Sequence, residues 1–193
     1  MGVRRTRGVA ALAVAVLAAV TLAGCQLAPA GEPEPGASTQ QPQSQENNVS
    51  LTIEAAKAES VRIQNELIAL IPDADRASEQ LPAPGSIART PMSCDAEGQY
   101  RYPGGAAVRL ASESTDAEGI AETLRQHLRQ QGWSGQDMPT ASQPNRVMFT
   151  NAEGYEAIIA TINRGDDLPT VMIDVWSPCA SIPADANPYS FKI

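Results

Sequence analysis

Few side chains in this chain are equipped for chemistry, and their spacing limits what each can do. Three cysteines stand at Cys25, Cys94 and Cys179, and the single histidine is His127. A general base needs a hydrogen-bond partner and a pocket around the proton it moves. His127 follows Leu124 by three positions and directly precedes Leu128. That spacing puts it at the border of an apolar helical face, the usual place of a boundary residue. Asp166-Asp167 and the pair Glu153 and Glu156 have the charge that calcium or acid–base catalysis requires. Both fall where turns are expected, and acidic side chains at turns serve local hydrogen bonding and solubility. Asp73-Ala74-Asp75 lacks the glycine and closing glutamate of a calcium loop. The sequence contains no Gly-x-Ser-x-Gly elbow, phosphate-cradling glycine loop or His-Glu-x-x-His motif. No catalytic residue, metal or cofactor is therefore expected. Tyr100-Arg101-Tyr102, ahead of Pro103-Gly104-Gly105, is the candidate contact surface, because tyrosine and arginine are enriched at interfaces and a proline–glycine turn would present them. Ordinary packing beside Cys94 is the alternative.

The first cysteine follows an address. Arg4, Arg5 and Arg7 make a positive start, and residues 8–21 run without a charge. As a helix that run is about 21 Å long, short of the ~30 Å hydrocarbon core, so it reads as a cleavable export signal. The Arg4-Arg5 pair lacks the rest of a twin-arginine pattern. Leu22-Ala23-Gly24-Cys25 then resembles the lipobox of bacterial lipoproteins: leucine at −3, two small residues, an obligatory cysteine. The resemblance implies diacylglyceryl transfer to the Cys25 sulfur and cleavage after Gly24, with further acylation of the new amino group left open. Two or three acyl chains hold a protein on a membrane where one is marginal. An ordinary secretory signal with an incidental Cys25 is the alternative. With Cys25 assigned to lipid, Cys94 and Cys179 form an even pair in an oxidising compartment, which predicts a disulfide. It would close a loop of about 86 residues, worth roughly 4–5 kcal/mol in the chain-entropy model. Two buried free thiols are the other possibility.

Charge narrows the partners. The chain has 14 basic and 22 acidic residues, and without the three signal arginines the net is about −11. Nucleic acid needs a basic footprint, so it is excluded, and electrostatic docking on anionic lipid is disfavoured. Only Lys57 and Lys192 are lysines, and alanine is abundant, a bias resembling the product of a GC-rich genome.

Three regions must position these residues: a signal peptide over 1–24, a lipidated cysteine and disordered tether over 25–49, and one domain over 50–193. Residues 26–48 hold four prolines and one large aliphatic residue, too little apolar surface to offset the entropy of ordering. A flexible chain of that length spans roughly 25–30 Å. From Thr52, a plausible N-cap, the spacing of Ile53, Ala56, Ser60, Ile63, Leu67 and Leu70 predicts a helix ended by Pro72. A second helix is expected over 115–131, with Thr115 and Glu118 as a capping box. Its close is signalled by Gly132 as a left-handed C′ residue and Trp133 as C″ in a Schellman arrangement. Strands are expected over 86–93, 107–111, 146–150, 155–163 and 170–177, joined late in the chain by short turns that imply antiparallel pairing. Together these predict an α+β two-layer sandwich, an antiparallel sheet with two helices on one face and one disulfide.

The domain also resembles small actinobacterial lipoproteins of unassigned function. The matching features are Ala69-Leu70-Ile71-Pro72, Cys94-Asp95, Gly132-Trp133 and Ser177-Pro178-Cys179. This resemblance implies architecture and location only. Anchor, stalk and motif content lead to a membrane-anchored, extracytoplasmic, non-catalytic module that binds an envelope protein or supports the envelope. A small-ligand carrier with a cavity between helices and sheet is the second reading, and an envelope hydrolase the third.

Overall fold

The computed structural model describes residues 50–94, 97–163 and 167–193. The expected signal over 1–24 and the whole of the expected lipidated cysteine and tether over 25–49 lie outside them, as do Asp95 and Asp166. Helix α1 is Ile53–Ala69, and Thr52 caps it by accepting the Ala55 N–H at 3.3 Å. Its inner face is Ile53, Ala56, Ser60, Ile63, Gln64 and Leu67. Leu70 does not continue this stripe. As the C-cap it is 38% exposed, and the chain turns Ile71 inward in its place. No basic residue lies in the last turn, but Arg76 reaches back and donates to the carbonyls of Ile68 and Ile71 at 2.7 and 2.5 Å. This satisfies orphan acceptors at the negative end of the helix.

Helix α2 is Ala117–Gln130. The N-cap is Asp116, one residue later than expected, and its Oδ1 accepts the Gly119 N–H at 2.9 Å. Thr115 is occupied with the turn before it, where its Oγ1 accepts the Ser112 N–H. Glu118 points to Arg125 and Asn145, away from the cap. The other end forms as expected. Gly132 has φ +84°, its N–H bonds to the Arg129 carbonyl at 3.0 Å, and the Trp133 N–H bonds to the Leu128 carbonyl at 3.1 Å. Those are the two bonds of a Schellman motif.

The strands are β1 (Met92–Ser93), β2 (Gln99–Arg101), β3 (Pro103–Gly104), β4 (Ala107–Arg109), β5 (Ser134–Asp137), β6 (Val147–Thr150), β7 (Glu156–Ile162), β8 (Thr170–Trp176) and β9 (Ala180–Ser181). All the pairings between them are antiparallel. Six of them form one sheet in the order β3-β8-β7-β6-β5, with β4 also on β8, and β1-β2-β9 form a second, small sheet. The stretch expected as a strand over 86–93 contributes only β1. In the main sheet Ile159 lies opposite Ile173 and Val147, and Val108 opposite Val171. These side chains share one face, and residues of both helices pack on it in a single core with Leu67, Leu124, Leu128 and Phe149. Two helices therefore cover one face of an antiparallel sheet: the fold is α+β.

The small sheet extends one edge of the large one. The chain passes from β2 into β3, and on the partner side from β8 into β9. Pro103 pairs with Trp176 but Tyr100 with Ala180, so the second strand has one extra residue between the two pairs. The extra residue falls beside Pro178, which has no N–H to give a ladder. Here Cys94 and Cys179 are joined, with Cα atoms 6.1 Å apart. A second core cluster, containing Ile53, Ala56, Tyr102 and Ala180, lies between this sheet and the start of α1.

Candidate functional site

Of the residues expected to form a contact surface, Tyr100 and Arg101 lie in β2 and Tyr102 stands between β2 and β3. Tyr102 is 0% exposed and sits in the second core cluster, so it is unavailable to a partner. Its parity explains this. Counting by two from the inward Val108 and Leu110 passes through Gly104 to Tyr102, all on the helix side. Arg101, of opposite parity, lies on the other face. Its guanidinium pairs with Glu156 at 2.8 Å, donates to the Ser177 carbonyl at 3.1 Å and stacks 5.2 Å from the Trp176 ring centroid. Glu156 is thus paired with an arginine, while Glu153 is exposed in the turn whose backbone is held by Asn151. His127 is half-buried on α2. Asp73 and Asp75 sit in a short 3-10 turn (Asp73–Asp75), with Asp73 paired to Arg76 at 3.2 Å. Among the described residues no group of three or more metal-ligating side chains comes together.

The interlayer is filled. Leu67, Ile71, Leu110, Leu124, Leu128, Phe149, Ile159 and Ile173 are each at most 1% exposed. Open space lies instead on the far side of the sheet, where β4 forms its edge. A cleft of about 290 Å³ is bounded by Leu81, Ile87, Arg89, Ala107, Met172 and Asp174. A second cleft of about 230 Å³ shares Leu81, Ala107 and Ile162 with it and reaches Arg109. The two make one groove, with an apolar floor and charged ends.

Backbone valence gives the groove its character. Ile173 donates to Ala106 and Leu110 to the Pro169 carbonyl, so even-numbered residues of the edge strand face β8. The backbone groups of Gly105, Ala107 and Arg109 must then face outward. Those of Arg109 are taken by the segment before the groove: the Gln80 amide donates to its carbonyl at 2.9 Å and accepts its N–H at 3.2 Å, and the Ala77 N–H donates to the same carbonyl at 3.0 Å. At the other side of the groove, Arg89 exchanges two backbone bonds with Ile193, at 2.8 and 3.0 Å. Between these two ties the segment 81–88 arches away, and no hydrogen bond among the described residues takes the N–H and C=O of Ala107.

Asp174 stands at the head of the groove on the middle of β8. Its Oδ1 accepts the Ala106 N–H at 3.3 Å, a bond that in a regular ladder would go to the Ile173 carbonyl. That carbonyl is taken instead by Gln64 of α1, buried at 0% exposure, at 3.1 Å. Burial pushes the Asp174 carboxyl up to about 6, against the pull of the Ala106 N–H and of the Arg89 and Arg146 charges. Neither arginine has a carboxylate within 4 Å among the described residues. A Cβ at Gly105 would lie 2.7 Å from the Arg89 guanidinium and would push it aside.

Sequence reasoning missed this site. Asp174 sits between the apolar Ile173 and Val175 in the stretch 170–177, and an acidic residue in mid-strand is itself a signal because strands are depleted in aspartate. Leu81, Ile87 and Arg89 come from a proline-rich segment without periodicity. No protein-family description, no curated protein and no solved structure matches this chain.

Proposed function

We propose that this chain is a membrane-anchored extracytoplasmic lipoprotein whose domain is a non-catalytic binding module. The ligand surface is the groove along β4. What carries the reading is the coincidence, in one concave place, of an apolar floor, outward backbone groups and a guanidinium with no carboxylate within 4 Å among the described residues. Ligand sites in general look like this: mostly apolar, with few placed polar groups. The lipobox motif Leu22-Ala23-Gly24-Cys25 supports the location, since lipid at the mature terminus with a stalk of 23 residues would hold the groove away from headgroups.

The anchor is tested by intact-mass analysis of protein extracted from membranes. The expected mass is that of residues 25–193 plus diacylglycerol, with or without a third acyl chain, and a Cys25→Ala form should lose both lipid and membrane association. A bare or uncleaved amino terminus on a freely soluble protein would overturn the assignment. A small-ligand carrier is the second reading; the interlayer where its cavity was expected is filled, so the cleft of about 290 Å³ on the far face would have to serve instead. That volume lies at the lower limit for drug-sized ligands.

A further inference from the structure

We propose that the groove accepts an extended peptide of a protein partner as an added β-strand beside β4, with an acidic group of the peptide on Arg89. The inference rests on reading the groove as the ligand surface and goes beyond it by naming the ligand class. Three observations carry it. Ala107 turns both backbone groups outward with no partner among the described residues, next to Arg109, where the same edge already binds an amide from Gln80. The edge therefore takes a peptide-like group where the chain supplies one and is open one strand step (two residues) further on. Strand addition uses such unpaired edge groups for affinity and alternate side-chain pockets for specificity. Second, the floor beside the open edge is Ala107, Ile162 and Met172, which suits the inward side chains of a strand. Third, two guanidinium groups, Arg89 and Arg146, influence the single carboxyl of Asp174, and Arg89 lines the cleft. The Arg89 guanidinium has no carboxylate oxygen within 4 Å among the described residues, so its donors are open to a carboxylate of the ligand.

The test uses the lipidated, disulfide-bonded mature protein in detergent micelles, isotopically labelled for amide spectra. The probes are an array of octapeptides alternating valine with a varied residue and ending in aspartate, and hexanoate as a small aliphatic carboxylate. Members of the array should shift the amides of Gly105 and Ala107. N-methylation of the peptide nitrogens that face Ala107 should weaken binding about tenfold or more. Arg89→Gln should cost about tenfold with the aspartate peptides and nothing with their asparagine versions. Ala107→Pro, which removes the outward N–H and adds ring carbons at the edge, should weaken binding while the remaining amide spectrum stays dispersed. Equal binding by N-methylated peptides, or equal loss for aspartate and asparagine versions in Arg89→Gln, would overturn strand addition. Hexanoate shifting the groove amides while every peptide fails would also overturn it and leave the groove a small-ligand site. Silence from both probes at millimolar concentration would remove strand addition and the groove reading together, with the lipid anchor untouched.

Discussion

At the scale of single residues, Asp174 is where fold and groove meet. Its carboxyl, the Ala106 N–H, the Ile173 carbonyl and the Gln64 amide form one exchange of partners, so a polar residue on the open face is tied to a buried one under α1. The pH dependence follows from the direction of its shift. A carboxyl raised from its ordinary 3.8 to about 6 favours the protonated form in the folded state. Its contribution to stability is fully present below about pH 4 and is lost as pH rises through 6. At about 1.4 kcal/mol per unit the loss is at most about 3 kcal/mol. Asp174→Asn keeps an acceptor for Ala106 and cannot ionise. In urea unfolding between pH 4 and 7, the variant should gain on the parent by up to that amount, mostly between pH 4 and 6. The comparison isolates Asp174 from Glu59 and Glu122, whose carboxyls are held low in the folded state and contribute with the opposite slope. A stability difference that does not vary with pH would mean that burial leaves the Asp174 carboxyl at its ordinary value.

Elements differ in how they depend on glycine, and two positions separate the causes. Gly132 has φ +84° and empty space where a Cβ would go. Gly132→Ala should therefore cost only the backbone penalty, about 1 kcal/mol, with α2 and its Schellman bonds retained. Gly104 has ordinary backbone, but a Cβ would stand 2.3 Å from the Val175 carbonyl and 2.8 Å from the Tyr102 ring. Gly104→Ala should break the β3–β8 pairing and cost more than Gly132→Ala, at least about 2 kcal/mol. Thermal unfolding of the two variants checks the order, and a reversed order would contradict the packing at β3. The same contrast marks what was legible beforehand. Helices and the long strands carry their own periodicity, and Gly132-Trp133 specifies a local motif, so all of these could be read directly. The strands β1, β3 and β9 are two residues long and exist because a partner lies beside them. β5 is exposed along its whole length and has no apolar signal. Reading Pro103-Gly104-Gly105 as a turn broke the count by two that would have put Tyr102 inside. The groove draws on segments near 81, 107, 162 and 174, and no local pattern spans them.

Over the described residues as a whole, the domain is a main sheet with one edge prolonged into a small sheet, and the disulfide sits on the prolongation. The small sheet has few residues to pair and owes its order to long-range ties: Thr52 beside Ser181, Arg89 beside Ile193 and Cys94 bonded to Cys179. Closing a loop of this size limits the unfolded chain, an effect worth roughly 4–5 kcal/mol, comparable to the net stability of a small domain. The core of the main sheet, by contrast, needs no covalent help, because its side chains and both helices bury one another. Replacing Cys94 and Cys179 by serine should therefore act unevenly. Global stability should fall by about 4 kcal/mol. In native-state hydrogen exchange, protection should be lost first in β2, β9 and the first turn of α1, and last in β7 and β8. The second core cluster joins those early regions through Ile53, Tyr102 and Ala180, so they should open as one unit. If β7 and β8 opened together with β9 at one free energy, the small sheet would be part of a single cooperative core, and the disulfide would stabilise the domain uniformly. An uneven loss would also reach the groove, because the edge strand that forms its rim is the direct continuation of β2.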